Sequence, residues 1–150
     1  MIPLVFYSHS DYSDVWAPMF AQTNKFLRGY KKYLFTDQST EDLDNDWIVI
    51  KYDDSLPYQK RMLHCLEQVK EDIILFHHED MFLFDRPNEE KIKEIISLVE
   101  NKEIDIVKLA RASYNESHPL TRNTTHKDVY ENPSDLKFAI QPSICNKEKL

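Results

Sequence analysis

The sequence predicts an α/β sandwich in which a mainly parallel central sheet is flanked by helices, all within one domain. Three observations lead there. Short apolar runs suited to strands buried on both faces recur along the chain, at Ile2–Tyr7, Tyr33–Phe35, Trp47–Ile50, Ile73–Phe76 and Ile104–Leu109. Stretches with a helical apolar period separate several of them, and such alternation is what βα units produce. The chain has 150 residues and a mass of 17.9 kDa, enough for one core but not two. Leu, Ile, Val and Phe make up about 27 % of it, above the roughly 20 % below which charged chains stay unfolded.

Taken in order, Ile2–Tyr7 (IPLVFY) is a first, central strand. Residues Val15–Leu27 place Trp16, Met19, Phe20, Phe26 and Leu27 at helical spacing. Asp14 is a candidate cap, Pro18 sits in the first turn where its missing N–H costs nothing, and Gly29 ends the helix. Strands two and three follow, separated by a polar, acidic loop. Pro57 opens a second helix with Tyr58, Met62, Cys65, Leu66 and Val69 on one face. Ile73–Phe76 runs directly into His77, His78, Glu79 and Asp80, and then into a second apolar stretch, Met81–Phe84. Pro87 and Asn88 start a helix with Ile92, Ile95, Ile96 and Val99 inward. Ala112–Pro133 reads as a long irregular loop and Leu136–Ile140 as a last strand. Asn146 looks like the cap of a helix cut short at Leu150, so a C-terminally incomplete domain is expected.

Composition excludes several functions. A formal charge of −7 argues against a protein that binds nucleic acid through its phosphates, which requires a concentrated positive surface. Gly29 is the single glycine, so neither the dinucleotide turn G-x-G-x-x-G nor the phosphate loop G-x-x-x-x-G-K-[ST] can be written. Cys65 and Cys145 cannot form a disulfide framework and read as core thiols. No apolar run approaches the roughly 20 residues of a membrane span, and the N-terminus has no export signal, so a cytoplasmic protein is expected.

In a parallel sheet, ligands bind beyond the carboxyl ends of the strands. Those ends carry Ser8, His9 and Ser10; Thr36 to Thr40 with Asp37; and His77 to Asp80. Carboxylates at the end of a buried strand need solvent, hydrogen bonds or a cation. Mg²⁺ or Mn²⁺ suits one or two carboxylates, with substrate phosphates and water completing its shell. Each residue also has a plainer reading: Asp37, Glu79 and Asp80 as turn residues, Lys60, Arg61 and His64 as a solvated helix face, and Tyr7, Trp16 and Tyr58 as core aromatics. His77 and His78 are adjacent on a strand and so face opposite sides of it. No zinc-binding spacing and no catalytic-serine elbow is present.

The ordered set resembles the nucleotide-sugar-dependent glycosyltransferases of the GT-A fold. ILFHHED, from Ile74 to Asp80, is similar to the acidic D-x-D type motif that follows the fourth strand of that family, with His78 in the place of its first Asp. TDQSTE, from Thr36 to Glu41, is similar to a signature after strand two, and FAIQPSICN, from Phe138 to Asn146, to a strand and turn on the acceptor side. The resemblance implies a Rossmann-like GT-A sandwich and transfer of a sugar from a nucleoside diphosphate to a glycan, lipid or protein acceptor. It implies that Asp80, with His78 or Glu79, holds Mn²⁺ or Mg²⁺, that Asp37, Ser8 and His9 meet the nucleoside, and that Arg61 meets the diphosphate. Asp128, Glu131 and Asp135 are candidates for a catalytic base. Two other expectations stand beside it: a non-catalytic remnant that binds the nucleotide sugar, and a metal-dependent nucleotidyltransferase.

Overall fold

The computed structural model describes residues 2–38, 43, 46–109 and 142–150. Its elements are β1 (Leu4–Tyr7), a 3-10 segment (Ser10–Val15), α1 (Trp16–Phe26), β2 (Lys32–Thr36), β3 (Trp47–Lys51), α2 (Tyr58–Leu66), β4 (Ile73–His78), α3 (Glu89–Glu100), β5 (Ile106–Lys108) and β6 (Ser143–Asn146), followed by a 3-10 turn (Lys147–Lys149). The strands form one six-stranded sheet in the order β3-β2-β1-β4-β6-β5. The pairings of β1 with β2, β1 with β4, and β2 with β3 are parallel, whereas β6 runs antiparallel to both β4 and β5. The fold is thus α/β with a mixed, mostly parallel sheet.

Alternation along the strands divides the core in two. Leu4, Phe6, Leu34, Trp47, Leu75 and Ile144 point to one face, where α1 contributes Trp16 and Met19 and α3 contributes Ile92, Ile95 and Val99. Val5, Tyr7, Tyr33, Phe35, Ile50, Ile74, Phe76 and Cys145 point to the other, covered by Met62, Cys65 and Leu66 of α2. Burial on both faces explains why β1 and β4 are continuous apolar runs rather than alternating ones. Both cysteines are core thiols: burial pushes the pKa of each up to about 12.

Helix boundaries follow local chemistry, with two departures from the sequence reading. Asp14 does not cap α1. The chain after β1 first winds into the 3-10 segment, capped by His9, whose ring accepts from the Asp11 N–H at 3.0 Å. Val15 precedes α1 without a side-chain cap. At the other end, Gly29 has φ +81°, the left-handed turn conformation that glycine tolerates. Asn88 caps α3 by accepting from the Lys91 N–H at 3.1 Å.

The second departure is β6. Ser143–Asn146 is a strand between β4 and β5, where the sequence reading saw only a turn. Asn146 does act as a cap, accepting from the Glu148 N–H at 3.0 Å, over a short 3-10 turn. Lys147 then ties that turn to the strand connection, its N–H donating to the Asp72 carbonyl at 2.8 Å and its Nζ to the Val69 carbonyl at 2.6 Å. Met81–Phe84 forms no regular element. Ala112–Pro133, Leu136–Ile140 and the candidate bases Asp128, Glu131 and Asp135 lie outside the described residues.

Because Ile144 is fully buried at the centre of the antiparallel pairing, Ile144→Ala is expected to lower unfolding free energy by about 2–5 kcal/mol. Leu63→Ala, at a position 60 % exposed on α2, should change it by no more than about 0.5 kcal/mol. Urea denaturation of the two variants checks the placement of β6.

Candidate functional site

The carboxyl ends of β1, β2 and β3 meet on one edge of the sheet, and each delivers a polar side chain there. Ser8 is the frame on which they are held. It is fully buried, and each of its polar groups has a partner within the protein. Its N–H donates to the Phe35 carbonyl at 3.0 Å, extending the β1–β2 ladder, and its carbonyl accepts from the Tyr52 hydroxyl at 3.0 Å. Its hydroxyl accepts from Trp16 Nε1 at 2.7 Å and lies 3.4 Å from the His9 carbonyl. Ser8 therefore faces inward and fixes α1 and the β3 end relative to β1; its hydroxyl is not displayed to a ligand.

His9 and Asp37 stand where the chain reaches the surface. One Asp37 oxygen accepts from the Ser10 N–H at 2.7 Å and from the Thr36 hydroxyl at 3.2 Å; the other accepts from the Ser10 hydroxyl at 2.6 Å. Partial burial opposes its ionisation, but the Ser10 hydrogen bonds prevail and hold the carboxyl below its ordinary value. His9 Nε2 lies 3.2 Å from Asp54 Oδ2 and 3.8 Å from Asp37 Oδ2. Desolvation works against a charged imidazole, yet the hydrogen bond His9 donates to Asp54 and the charges of Asp37, Asp54 and Asp11 raise the His9 pKa above 6.5.

Asp54 continues the chain of contacts to Arg61, whose Nη1 it pairs with directly. Arg61 Nε donates to the Leu56 carbonyl at 2.7 Å, across the start of α2, and the guanidinium lies 5.3 Å from the centroid of the Tyr52 ring. Asp53 sets up this turn by accepting from the Ser55 N–H at 2.9 Å and the Ser55 hydroxyl at 2.7 Å. His9, Asp37 and Arg61, all named from the sequence, thus come together. Asp54 and Tyr52 were missed, although their position just after an apolar run, before the helix-opening Pro57, marks a strand end. Lys60 is exposed.

The end of β4 is the neighbouring part of the edge, since Tyr7 pairs with His78 in the β1–β4 register. The two histidines diverge, as strand geometry requires. His77 turns to the α1 face, its ring 4.9 Å from that of Phe6, and Nδ1–H donates to the His78 carbonyl at 2.5 Å. Burial holds His77 below the ordinary histidine value, so it is a neutral structural residue. His78 turns to the α2 face, with ring centroids 5.8 Å from Tyr7 and 5.3 Å from Phe76. Its Nδ1 is 3.7 Å from Glu79 Oε2. Asp80 is exposed.

Around Tyr7 three buried polar atoms have no hydrogen-bond partner: Tyr58 Oη, His78 Nε2 and Glu79 Oε2. Tyr58 packs edge-on to Tyr7 at 5.0 Å. Burial first, then the Tyr7 and Glu79 charges, push the Tyr58 pKa up to about 12. Among the described residues no group of three His, Cys, Asp or Glu side chains is arranged to hold a metal ion. The buried, unpartnered Glu79 oxygen and the adjacent exposed Asp80 offer two hard oxygen donors, which fits a Mg²⁺- or Mn²⁺-type shell completed by phosphate and water rather than zinc.

The electrostatics give two expectations. The His9 ring should titrate above 6.5 in an NMR pH series, and Asp54→Asn should move it downward; a wild-type value at or below 6.5 contradicts the geometry. A raised His9 pKa contributes stability below the unfolded value, lost as pH rises through the folded one. Asp37 has the opposite sign. Its contribution is present above the unfolded carboxylate pKa and is lost as pH falls through the depressed folded one, so the stability gap to Asp37→Asn, on the order of 1–3 kcal/mol at neutral pH, should close below about pH 4. Denaturation at a series of pH values checks this.

No model of a known protein family matches the chain, and no curated protein matches it.

Proposed function

We propose that this chain is a glycosyltransferase-like domain that binds a nucleoside-diphosphate sugar at the carboxyl edge of β1, β2, β3 and β4. One observation carries the reading. Three segments, the ends of β1 and β2 and the β3–α2 connection with the start of α2, bring His9, Asp37, Asp54 and Arg61 into one chain of polar contacts, beside the point where strand order reverses between β1 and β4. That switch point is where open α/β sheets hold nucleotides. The single glycine leaves no loop of the kind that cradles phosphate with backbone N–H groups, so the diphosphate must be met by side-chain cations or by a metal. Arg61 is at the required place, with the His9 ring on the other side of Asp54.

In this reading Arg61 exchanges Asp54 for a phosphate oxygen, for which its planar fork is well matched. Asp37 fixes the loop that faces the nucleoside through Ser10, and Ser8 positions that loop from below. Asp80 holds Mn²⁺ or Mg²⁺, with Glu79 or His78 beside it. The ion's chemistry is to offset charge on the departing diphosphate. Fixed cationic groups do the same electrostatic work without reorganising. The sugar acceptor is a glycan, lipid or protein. A remnant that binds the same donor without transferring it is the second reading.

Calorimetric titration with UDP-, GDP- and dTDP-sugars, with and without Mn²⁺, tests the proposal. Saturable, Mn²⁺-dependent binding of one donor is expected, with Asp80→Ala removing the Mn²⁺ dependence and Arg61→Gln weakening binding by about tenfold or more, the loss of one charge-assisted contact. No binding of any donor refutes it. Binding without turnover selects the remnant.

A further inference from the structure

A second site lies at the opposite edge of the sheet. A cavity of about 710 Å³ is lined by Asn24 and Lys25 of α1, Arg28 and Gly29 of the turn that follows, Lys32 at the start of β2, Asp46 just before β3, and Arg86 from the segment leading to α3. Lys32 pairs with Trp47 in the β2–β3 register, which places the cavity at the amino ends of these strands. Asp37 follows the other end of the same five-residue strand, about 16 Å from Lys32 at 3.3 Å per residue. The volume falls within the range of small-molecule sites, roughly 300–1,000 Å³.

Its charge is unlike that of the rest of the molecule. In a chain of formal charge −7, four cationic side chains from four segments face one cavity, and among the described lining residues Asp46 alone is anionic. Lys32 is the unusual member. It is 1 % exposed, and its Nζ is 3.9 Å from a carboxylate oxygen of Asp46, which is itself largely exposed, and 6.0 Å from the Trp47 ring centroid. A long pair to a solvated carboxylate offsets little of the cost of burying an ammonium. Gly29 leaves open space above its Cα, with no atom within 4 Å of where a Cβ would stand.

We infer that this cavity binds a compact, soluble polyanion carrying two linked phosphates. Three positive charges in excess of Asp46 match the roughly −3 to −4 of two phosphate groups at neutral pH. Arg28 and Arg86 supply the planar donor forks suited to phosphate oxygens, with Lys25 and Lys32 as point charges. The described lining residues include no large apolar side chain, which favours a free phosphorylated solute over a headgroup that brings acyl chains with it. A concave cavity, rather than a basic stripe, favours a small ligand over a nucleic-acid backbone. The site does not depend on what binds at the carboxyl edge.

The test is titration of the protein with pyrophosphate in the absence of divalent metal, comparing wild type, the double variant Arg28→Gln/Arg86→Gln and the single variant Arg61→Gln. Both arginines of the double variant are exposed, so its fold should be retained, which circular dichroism checks. Saturable binding is expected, weakened at least tenfold in the double variant and within about twofold of wild type in Arg61→Gln. Two results overturn the inference: no saturable binding up to about 10 mM pyrophosphate, or binding lost in Arg61→Gln and unchanged in the double variant, which would place the anion at the carboxyl edge.

Discussion

Everything in this structure depends on β1 being paired in parallel on both sides, with β2 and with β4. A parallel pair cannot be closed by a tight hairpin, so the chain must cross back over the sheet each time. It does so through α1 after β1 and through α2 after β3, on opposite faces. The first connection leaves β1 on one face and the second enters β4 from the other, so the strand order switches between β1 and β4, the point at which open α/β sheets form a crevice beyond the strand ends. Ser8, the first residue beyond β1, makes this arrangement rigid, because its hydroxyl holds Trp16 of α1 and its carbonyl holds Tyr52 beyond β3. The polar edge is thus built on a buried joint whose polar groups are satisfied within the protein.

The parts of this fold legible in the sequence are those in which a local pattern and the tertiary environment agree. LVFY and IILF are buried on both faces, and a continuous apolar run is the direct signature of that environment. α3 is similarly plain, since Ile92, Ile95 and Val99 are all on its inner face while Glu90 and Glu94 pair with Lys93 and Lys91 outside. Ser143–Asn146 is different. It has one apolar aliphatic residue and one cysteine, and it is a strand because β4 and β5 supply hydrogen-bonding partners on both sides. The 3-10 segment was hidden for a related reason: Tyr12, at φ −102° and ψ 20°, interrupts the helical path, so no period continues into α1.

The site divides along the same line. His9 and Asp37 were readable because each follows a recognisable strand end, and topology alone brings such ends together; Arg61, inside α2, was named only through the resemblance. Asp54 was not, because an aspartate in Asp53-Asp54-Ser55 is what any turn prefers; only its pairing with both His9 and Arg61 distinguishes it. The result is an alternating row, carboxylate–imidazole–carboxylate–guanidinium, in which each cation is already neutralised. An anionic ligand gains little from a cation whose carboxylate stays in place. Binding at this edge therefore requires Asp54 to release Arg61, and Asp54, half exposed, has solvent to turn toward.

The end of β4 shows the contrast that gives the crevice its direction. At the carboxyl ends of β1 and β2 the buried polar groups are satisfied: Ser8 in full, Asp37 by three donors. One residue pairing further along the edge, Tyr58 Oη, His78 Nε2 and Glu79 Oε2 are buried and unpartnered around the single ring of Tyr7. Each such group costs on the order of 1–3 kcal/mol. Unpaired atoms elsewhere, such as Trp47 Nε1 and Gln22 Oε1, belong to residues of the opposite face and do not converge in this way. A phenol, an imidazole and a carboxylate can together accept a hydroxyl, a water or a cation and donate to an oxygen. Three atoms with unmet hydrogen-bonding capacity therefore gather on the α2 side of the β1–β4 junction, where a ligand that completed those bonds would gain from each.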